Sequence, residues 1–408
     1  MEPSTRSPQE CRACLYTSDH PFGLRFDSTG LCTGCITHQE KSSLDWPARF
    51  QLLEERVSEI RKRSRNSYYD CVVPVRGTPE YFYVLDVVKA RLGLNPLIVS
   101  YNSQFNSLTG IRNIARIRET FDVDILTHTP NQIVYKKLIR ESLARMGNMR
   151  WPFLAGETVF PVQVAVERSI PLVIWPYHQP TEQVGMHSYL EEPEMSRRDR
   201  EAFDLMGMEP ESFVLPETII NSRNIWDLRY PKDAALDGSG VRGIYLANYL
   251  PWDSRRYSEE MIAQRGALSA LNPRTFDTYD RVDDMTYMSV HDLLKFGALG
   301  YSRVTDNLTR EIRFGRIDRA TAQRLADAYA CHDPGKVLDV FMRWLGLGTE
   351  GLEWLFARQR HAQRELSATP KIDSSAQSFV ESFISTSGDV AGDEFIVFGK
   401  GLELDEVL

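Results

Sequence analysis

The sequence predicts an α/β protein built around a parallel, doubly wound sheet, with a zinc ribbon before it and a helical region after it. Three observations predict this. Two CxxC pairs stand near the N-terminus, Cys11/Cys14 and Cys32/Cys35. From Cys71 to Leu246 short apolar runs alternate with segments of helical period. Beyond about Asp253 the apolar runs stop and helices with polar turns take over. A length of 408 residues suits two or three domains. With 42% hydrophobic and 25% charged residues, the composition is that of a folded chain.

The 48 basic and 56 acidic residues give a formal charge of -8. This argues against a nucleic-acid coat or a polybasic membrane binder, so an anionic ligand has to be met by local arginines. Met1 to Glu10 carries no apolar core of signal-peptide length, and no later run approaches the roughly 18 apolar residues of a membrane span. The expectation is a cytoplasmic protein with no membrane and no nucleic-acid partner. The sequence shows no internal repeat.

Cys11, Cys14, Cys32 and Cys35 match the C-x2-C-x15-20-C-x2-C spacing of a zinc site. Each pair turns two thiolates toward one point, and two such knuckles close a tetrahedral site without an open position, which makes the zinc structural. A redox dithiol or iron is the alternative use of these cysteines. The segment between the pairs is turn-rich and too short for a core, so metal binding supplies its folding energy. The isolated Cys71 and Cys331 read as packed side chains.

Residues 1–43 are therefore assigned to the ribbon, and 44–66 to a linker helix with Trp46, Phe50, Leu53 and Val57 on one face. Residues 67–252 form the α/β domain. Its strands fall at Cys71 to Val75, Leu97 to Tyr101, Asp124 to Leu126, Pro171 to Trp175 and Gly243 to Leu246, with helices between them. In such a sheet, ligands sit at the carboxyl ends of the strands. Residues 253–366 read as a helical region, and the Ser- and acid-rich 367–408 as a loosely ordered tail.

Taken together and in order, several motifs carry a resemblance. They are the paired cysteines; Val72-Val73-Pro74-Val75; Gly93-Leu94-Asn95-Pro96-Leu97; Tyr101-Asn102; Thr109-Gly110-Ile111-Arg112-Asn113; and Thr129-Pro130-Asn131. Phe160-Pro161-Val162-Gln163-Val164-Ala165, Pro171 to Trp175, Val241 to Leu246, Pro251-Trp252-Asp253, Gly300 to Asp306, Arg313 and Gly315-Arg316 follow. From Cys11 to Arg364 the chain resembles the N-acetyl sugar amidotransferase family of surface-polysaccharide biosynthesis. The resemblance implies an ATP-pyrophosphatase (PP-loop, HUP-like) fold, with ATP and Mg as cofactors beside the zinc. It implies a nucleotide sugar as substrate, whose amide is converted to an acetamidino group. A glutaminase and synthase pair would supply the ammonia; a homologue or a second copy of the chain is a further candidate partner.

The chain departs from that family at its phosphate loop. The family's Ser-Gly-Gly-x-Asp-Ser reads Arg76-Gly77-Thr78-Pro79-Glu80-Tyr81. Pro79 removes an N–H donor, while Thr78 and Tyr81 add bulk where backbone must approach phosphate. As structure the replacement is sound, since Thr78 suits an N-cap and Pro79 the first helical position. Ordinary cleavage of ATP to AMP and pyrophosphate is therefore expected to be absent or very weak. Two further departures, at Met149 to Gly156 and at Pro176-Tyr177-His178, fall on loops at the same sheet edge.

Candidate site residues follow. Arg76, Gly77, Thr78, Tyr101 and Asn102 are candidates for nucleotide or phosphate, with Arg76 either an anion ligand or a salt-bridged side chain. Glu80 and His178 are the catalytic candidates; His178 serves either as a general base or as a hydrogen-bonded structural residue. Arg242, Arg303, Arg313 and Arg316 form either a diphosphate clamp or surface ion pairs. Trp252, Asp253, Thr305 and Asp306 belong to the same substrate motifs, the aspartates as orienters of arginine. Function has two readings: a remodelled ATP-dependent amidotransferase or ligase, or a catalytically silent relative that binds a sugar nucleotide or a protein partner.

Overall fold

The computed structural model describes residues 8–63, 67–102, 104–216, 220–272, 274–357, 371–390, 394–397 and 400–403. Five strands, β1 (Cys71–Pro74), β2 (Pro96–Tyr101), β3 (Asp124–His128), β4 (Leu172–Trp175) and β5 (Arg242–Tyr245), form one sheet. All four pairings are parallel and the order is β3-β2-β1-β4-β5. Strand direction is common but the order reverses at β1, so a crevice opens between the loops that follow β1 and β4.

The alternation of each strand sorts its side chains between two cores. Val72, Val99 and Val173 face one core, with Leu138, Trp151, Val164, Tyr287 and Trp344. Val73, Ile98 and Ile174 face the other, with Leu53, Phe82, Ile117 and Tyr257. Both faces are covered by helices, which is why β1 is an unbroken apolar run rather than an alternating one.

The linker helix spans Trp46–Arg63. Its Leu53, Val57 and Ile60 are buried in the second core. The helix thus belongs to the coat of the sheet, because its apolar stripe finds a larger apolar partner there than the small ribbon offers. After β1, Pro79 opens the helix Pro79–Leu85 as expected, with Thr78 extended at the N-cap but making no side-chain capping bond.

The C-terminal region is helical: Met285–Leu299, Arg303–Arg313, Arg319–Ala330, Lys336–Leu345 and Thr349–Ala357. Tyr287, Val290 and Leu294 of the first of these join the first core of the sheet. Sheet and helical region therefore share buried apolar surface. Residues 371–390 differ from the loosely ordered tail expected of them. Asp373 caps the helix Ser374–Glu381 through the N–H groups of Ser375 and Ala376. Ala376 and Phe383 bury against Phe276 and Tyr329, and Phe379 and Phe383, one helical turn apart, supply the aromatic contacts that hold it. The backbone of Ser387–Val390 pairs with Ala270–Leu271. Among the described residues, no helix is long and apolar enough to cross a membrane.

Candidate functional site

The four ribbon cysteines converge. Their Sγ atoms all lie within 4.8 Å of one another and all four are buried. Cys14 and Cys32 are 3.6 Å apart, Cys11 and Cys35 3.9 Å. A tetrahedral ion with Zn–S of about 2.3 Å requires sulfurs about 3.8 Å apart, so the donor set fits zinc. The second knuckle opens the helix Thr33–Glu40, which packs on Gln179–Val184 just after β4. Thr33 donates to the Val184 carbonyl at 2.8 Å, and Arg313 donates to the Gln183 carbonyl at 2.8 Å while reaching 3.9 Å from Cys32 Sγ. A Cβ at Gly34 would stand 2.7 Å from the Gln183 carbonyl oxygen, so glycine sets how closely the ribbon docks.

The loop after β1 is closed by its own side chain. Arg76 is 7% exposed, and donates from Nε to Asp283 Oδ2 at 2.8 Å and from Nη2 to Asp283 Oδ1 at 3.0 Å. Asp284 Oδ2 lies 2.6 Å from Nη2, close enough to neutralise charge though off the line of a directed hydrogen bond, and Glu157 lies 3.5 Å from Nη1. Burial opposes the charge on Arg76, but Asp283, Asp284 and Glu157 outweigh it and hold the guanidinium well above its ordinary pKa. Beneath it the backbones stack. A Cβ on Gly77 would meet Gly110 Cα at 2.8 Å, and a Cβ on Gly110 would meet Asp283 Cα at 2.5 Å. Gly77 thus serves close backbone packing.

Beside this loop lies a cavity of about 250 Å³ that holds four of the five nucleotide candidates. Arg76, Gly77, Tyr101 and Asn102 line it with Ile111, Ile114 and Phe153. Thr78 is not in its wall. Tyr101 donates to Asp227 at 2.9 Å, and Asn102 accepts from the Gln104 N–H at 2.8 Å. These bonds fix the wall in place. The exposed wall of the cavity is mostly apolar.

A composite cleft occupies the switch point between β1 and β4. Three cavities of about 110, 150 and 210 Å³ share Leu154 and Gln179 in their walls. The first is lined by Tyr177, His178, Asp204 and Tyr245, at the ends of β4 and β5. The second is lined by Arg150, Arg281, Arg303, Asn307 and Arg310. The third is more apolar, with Phe22 of the ribbon, Phe203, Leu299 and Tyr301. Sheet, ribbon and helical region therefore each contribute one wall.

His178 reaches this cleft. Its Nδ1 is 2.9 Å from Thr181 Oγ1, and burial, with His187 adding to it, holds its pKa down to about 4, so the ring is neutral at ordinary pH. Asp204 lines the same cavity, pushed up to about 7 by burial, and can exchange a proton near neutrality. Glu80 is likewise pushed up to about 7 by burial; it accepts from Trp252 Nε1 at 3.2 Å and is not in the walls of the three cavities, though Arg310 and Asp280 of the second act on it. Arg303 and Asp306 line the second cavity; Asp306 accepts from Tyr16 at 2.8 Å and pairs with Lys295.

The other substrate candidates lie elsewhere. Arg242 starts β5 at the opposite edge of the sheet and pairs with Glu194. Arg316 pairs with Asp253 and Glu311, and Asp253 caps the helix Ser254–Arg265. Trp252 is buried among Tyr83, Tyr177 and Tyr257. Thr305 is buried in the helix Arg303–Arg313, and Arg313 anchors the ribbon. Sequence reasoning missed Arg150, Asp204, Arg281, His291, Lys295 and Arg310. Spacing held part of the signal: Arg303, Asn307 and Arg310 recur at i, i+4 and i+7 on one helical face, and His291 and Lys295 at i, i+4 on another.

Residues 273–372 match the family described as LPS biosynthesis protein WbpG-like, C-terminal domain. That span contains the helices Met285–Leu299 and Arg303–Arg313. The chain is also similar to the uncharacterized protein MJ1599 of Methanocaldococcus jannaschii, 23% identical over 119 residues, which is 29% of this chain and 41% of that protein. It thus spans less than half of that relative. A comparison with the structure of NMN synthetase from Francisella tularensis covers 56% of this chain and 99% of that one, at 12% identity and a TM-score of 0.26.

Proposed function

We propose that this chain is a remodelled relative of the enzymes that use ATP and ammonia to turn an N-acetyl sugar amide into an acetamidino group. It holds a small molecule of the nucleotide-sugar class in the composite cleft, and the ATP pyrophosphatase step at the β1 loop is lost. One observation carries the reading. Arg76 is engaged by Asp283, Asp284 and Glu157 while Gly77, Gly110 and Asp283 stack backbone on backbone. A phosphate cradle works through unengaged N–H groups around the departing pyrophosphate, and losing one comparable donor typically costs about 10²–10³ in rate. The LPS-biosynthesis match over residues 273–372 supports the polysaccharide setting.

The test is AMP release from ATP by the full-length protein, with ammonia and candidate sugar nucleotides present and ATP binding followed by calorimetry. No AMP above background is expected. Steady AMP formation, abolished by Arg76→Ala in a folded protein, overturns the reading. A second reading, a silent scaffold for a glutaminase or a homologue, draws on the same closed loop. Asp204 and His178, which line the same cavity and whose pKa values burial moves to about 7 and about 4, favour retained chemistry over a silent role.

A further inference from the structure

The helical wall of the composite cleft is lined by more cations than carboxylates. Arg150, Arg281, Lys295, Arg303 and Arg310 line the cavity of about 150 Å³, against Asp280 and Asp306. Lys295 takes Asp306. Asp280 is then left to face three guanidiniums, at 3.4 Å from Arg303 and 4.0 Å from Arg281 and Arg310. The nearest carboxylate to Arg150 is Asp284 at 3.8 Å, and Asp284 already holds Arg76 at 2.6 Å. Among the ion pairs of the described residues these three cations share that carboxylate, while Asp277, Asp284 and Asp292 act on Arg303, and Glu80 on Arg310, from farther away.

The donors show the same deficit. Arg150 Nη2, Arg281 Nη1 and Arg303 Nε are buried with no hydrogen-bond acceptor among the described residues. Arg150 and Arg303 are 3% and 8% exposed. A buried donor left unpaired is costly, and more so when it is charged, so three among the arginines of one cavity call for an acceptor from outside. Arg281 also sits at φ +57°, a left-handed conformation that non-glycine residues seldom adopt, and this turns the residue into the walls of two of the cavities. His291 adds no further positive charge here. Burial, reinforced by Arg150, Lys295 and Arg303, holds its pKa well below the usual range.

We infer that this cavity binds a phosphate or diphosphate group, so that anion recognition has moved from the β1 loop to the arginines of the helical wall. Guanidinium forks match phosphate oxygens two at a time, and an anion with several acceptor oxygens suits a cavity walled by four of them. The inference deepens the functional reading above and rests on it for the choice of cleft. The group is either free or borne on a nucleotide whose remaining part extends into the neighbouring cavities along Leu154 and Gln179.

The experiment titrates zinc-loaded full-length protein by calorimetry with inorganic phosphate, pyrophosphate, UDP and uridine. Saturable binding of pyrophosphate or UDP is expected, weakened about tenfold or more by Arg303→Gln and by Arg310→Gln, and unchanged by Arg242→Gln at the opposite sheet edge. UDP tighter than pyrophosphate identifies a nucleotide-borne group, and equal affinities identify a free one; both support the site. Arg310 keeps a quarter of its side chain exposed, so its variant serves as the folded reporter if Arg303→Gln does not fold. No binding at millimolar concentrations, or binding undiminished in the folded variants, overturns the inference and leaves the lost pyrophosphatase step standing. AMP release with arginine-dependent pyrophosphate binding does the reverse.

Discussion

Arg76 and Asp283, 207 residues apart in the chain, meet in a two-pronged ion pair at 2.8 and 3.0 Å that closes the loop after β1. The pair joins the sheet to the segment leading into the helical region. It places a cation at the carboxyl end of β1, and the cation is already answered by protein carboxylates.

Removing that cation strands buried charge. Arg76→Ser leaves Asp283 and Asp284 without their main partner, and breaking a buried pair in this way costs about 3–5 kcal/mol. Denaturant unfolding should show a loss of that size, with a smaller loss for Arg76→Lys, which keeps the charge and loses the fork. A restored serine loop therefore needs Asp283 and Asp284 changed to asparagine as well. A loss below about 1 kcal/mol for Arg76→Ser would contradict the closed loop.

The backbone stack makes a second demand. Gly110→Ala puts a methyl 2.5 Å from Asp283 Cα, a backbone atom that cannot swing aside. A destabilisation of about 1–3 kcal/mol is expected, read as a fall in the midpoint of urea unfolding. Gly147→Ala is the contrast, since that glycine has open space but a φ of +65°, and its cost is conformational only.

Zinc should hold the ribbon and, through Arg313, its seat on Gln179–Val184. Elemental analysis is expected to give about one zinc per chain, and Cys32→Ser to lose it. Hydrogen exchange should then rise in residues 8–43 and at Glu182 and Gln183, whose carbonyls Arg313 holds. A metal-free protein with unchanged exchange in the ribbon would refute the assignment.

Two buried groups titrate in opposite directions. Glu80 is raised from the usual 4.5 to about 7, so its contribution to stability is full below about pH 4.5 and is lost as pH rises through about 7. His178 is lowered from 6.5 to about 4, so its contribution is full above about pH 6.5 and is lost as pH falls through about 4. The stability difference between the native protein and Glu80→Gln should fall as pH rises from about 4.5 to 7. That between the native protein and His178→Gln should rise from about pH 4 to 6.5. Each slope is at most about 1.4 kcal/mol per pH unit, and unfolding curves across that range read the signs.

Much of the fold was legible. The paired cysteines and the five apolar runs lie where the sequence puts them, because each rests on spacing along a single segment. The linker helix was legible as a helix but not in its partner, since an apolar stripe records how much surface must be buried and not against what. The helix Ser374–Glu381 was hidden by its Ser- and acid-rich surroundings, which outweighed Phe379 and Phe383 in a reading by composition.

The candidate site was less legible. Tyr101 and Asn102 at the end of β2, and His178 just past β4, were found because strand ends are where such sheets bind. Of the four clamp arginines, only Arg303 reaches the cleft. Arg150, Arg281 and Arg310 were missed because an arginine looks alike in sequence whether it is paired, buried or exposed.

The sequence by itself determined the four-cysteine cluster, the parallel alternation and the bulk of the loop after β1. These are local facts: ligand spacing, side-chain period and steric bulk all act within one stretch of chain. The tertiary structure alone decided that Arg76 belongs to Asp283, that Arg313 serves the ribbon, and that Arg281, Arg303 and Arg310 gather round Asp280 beside Arg150. Ion pairing depends on which distant segments packing brings within about 4 Å, and no period along the chain encodes that distance.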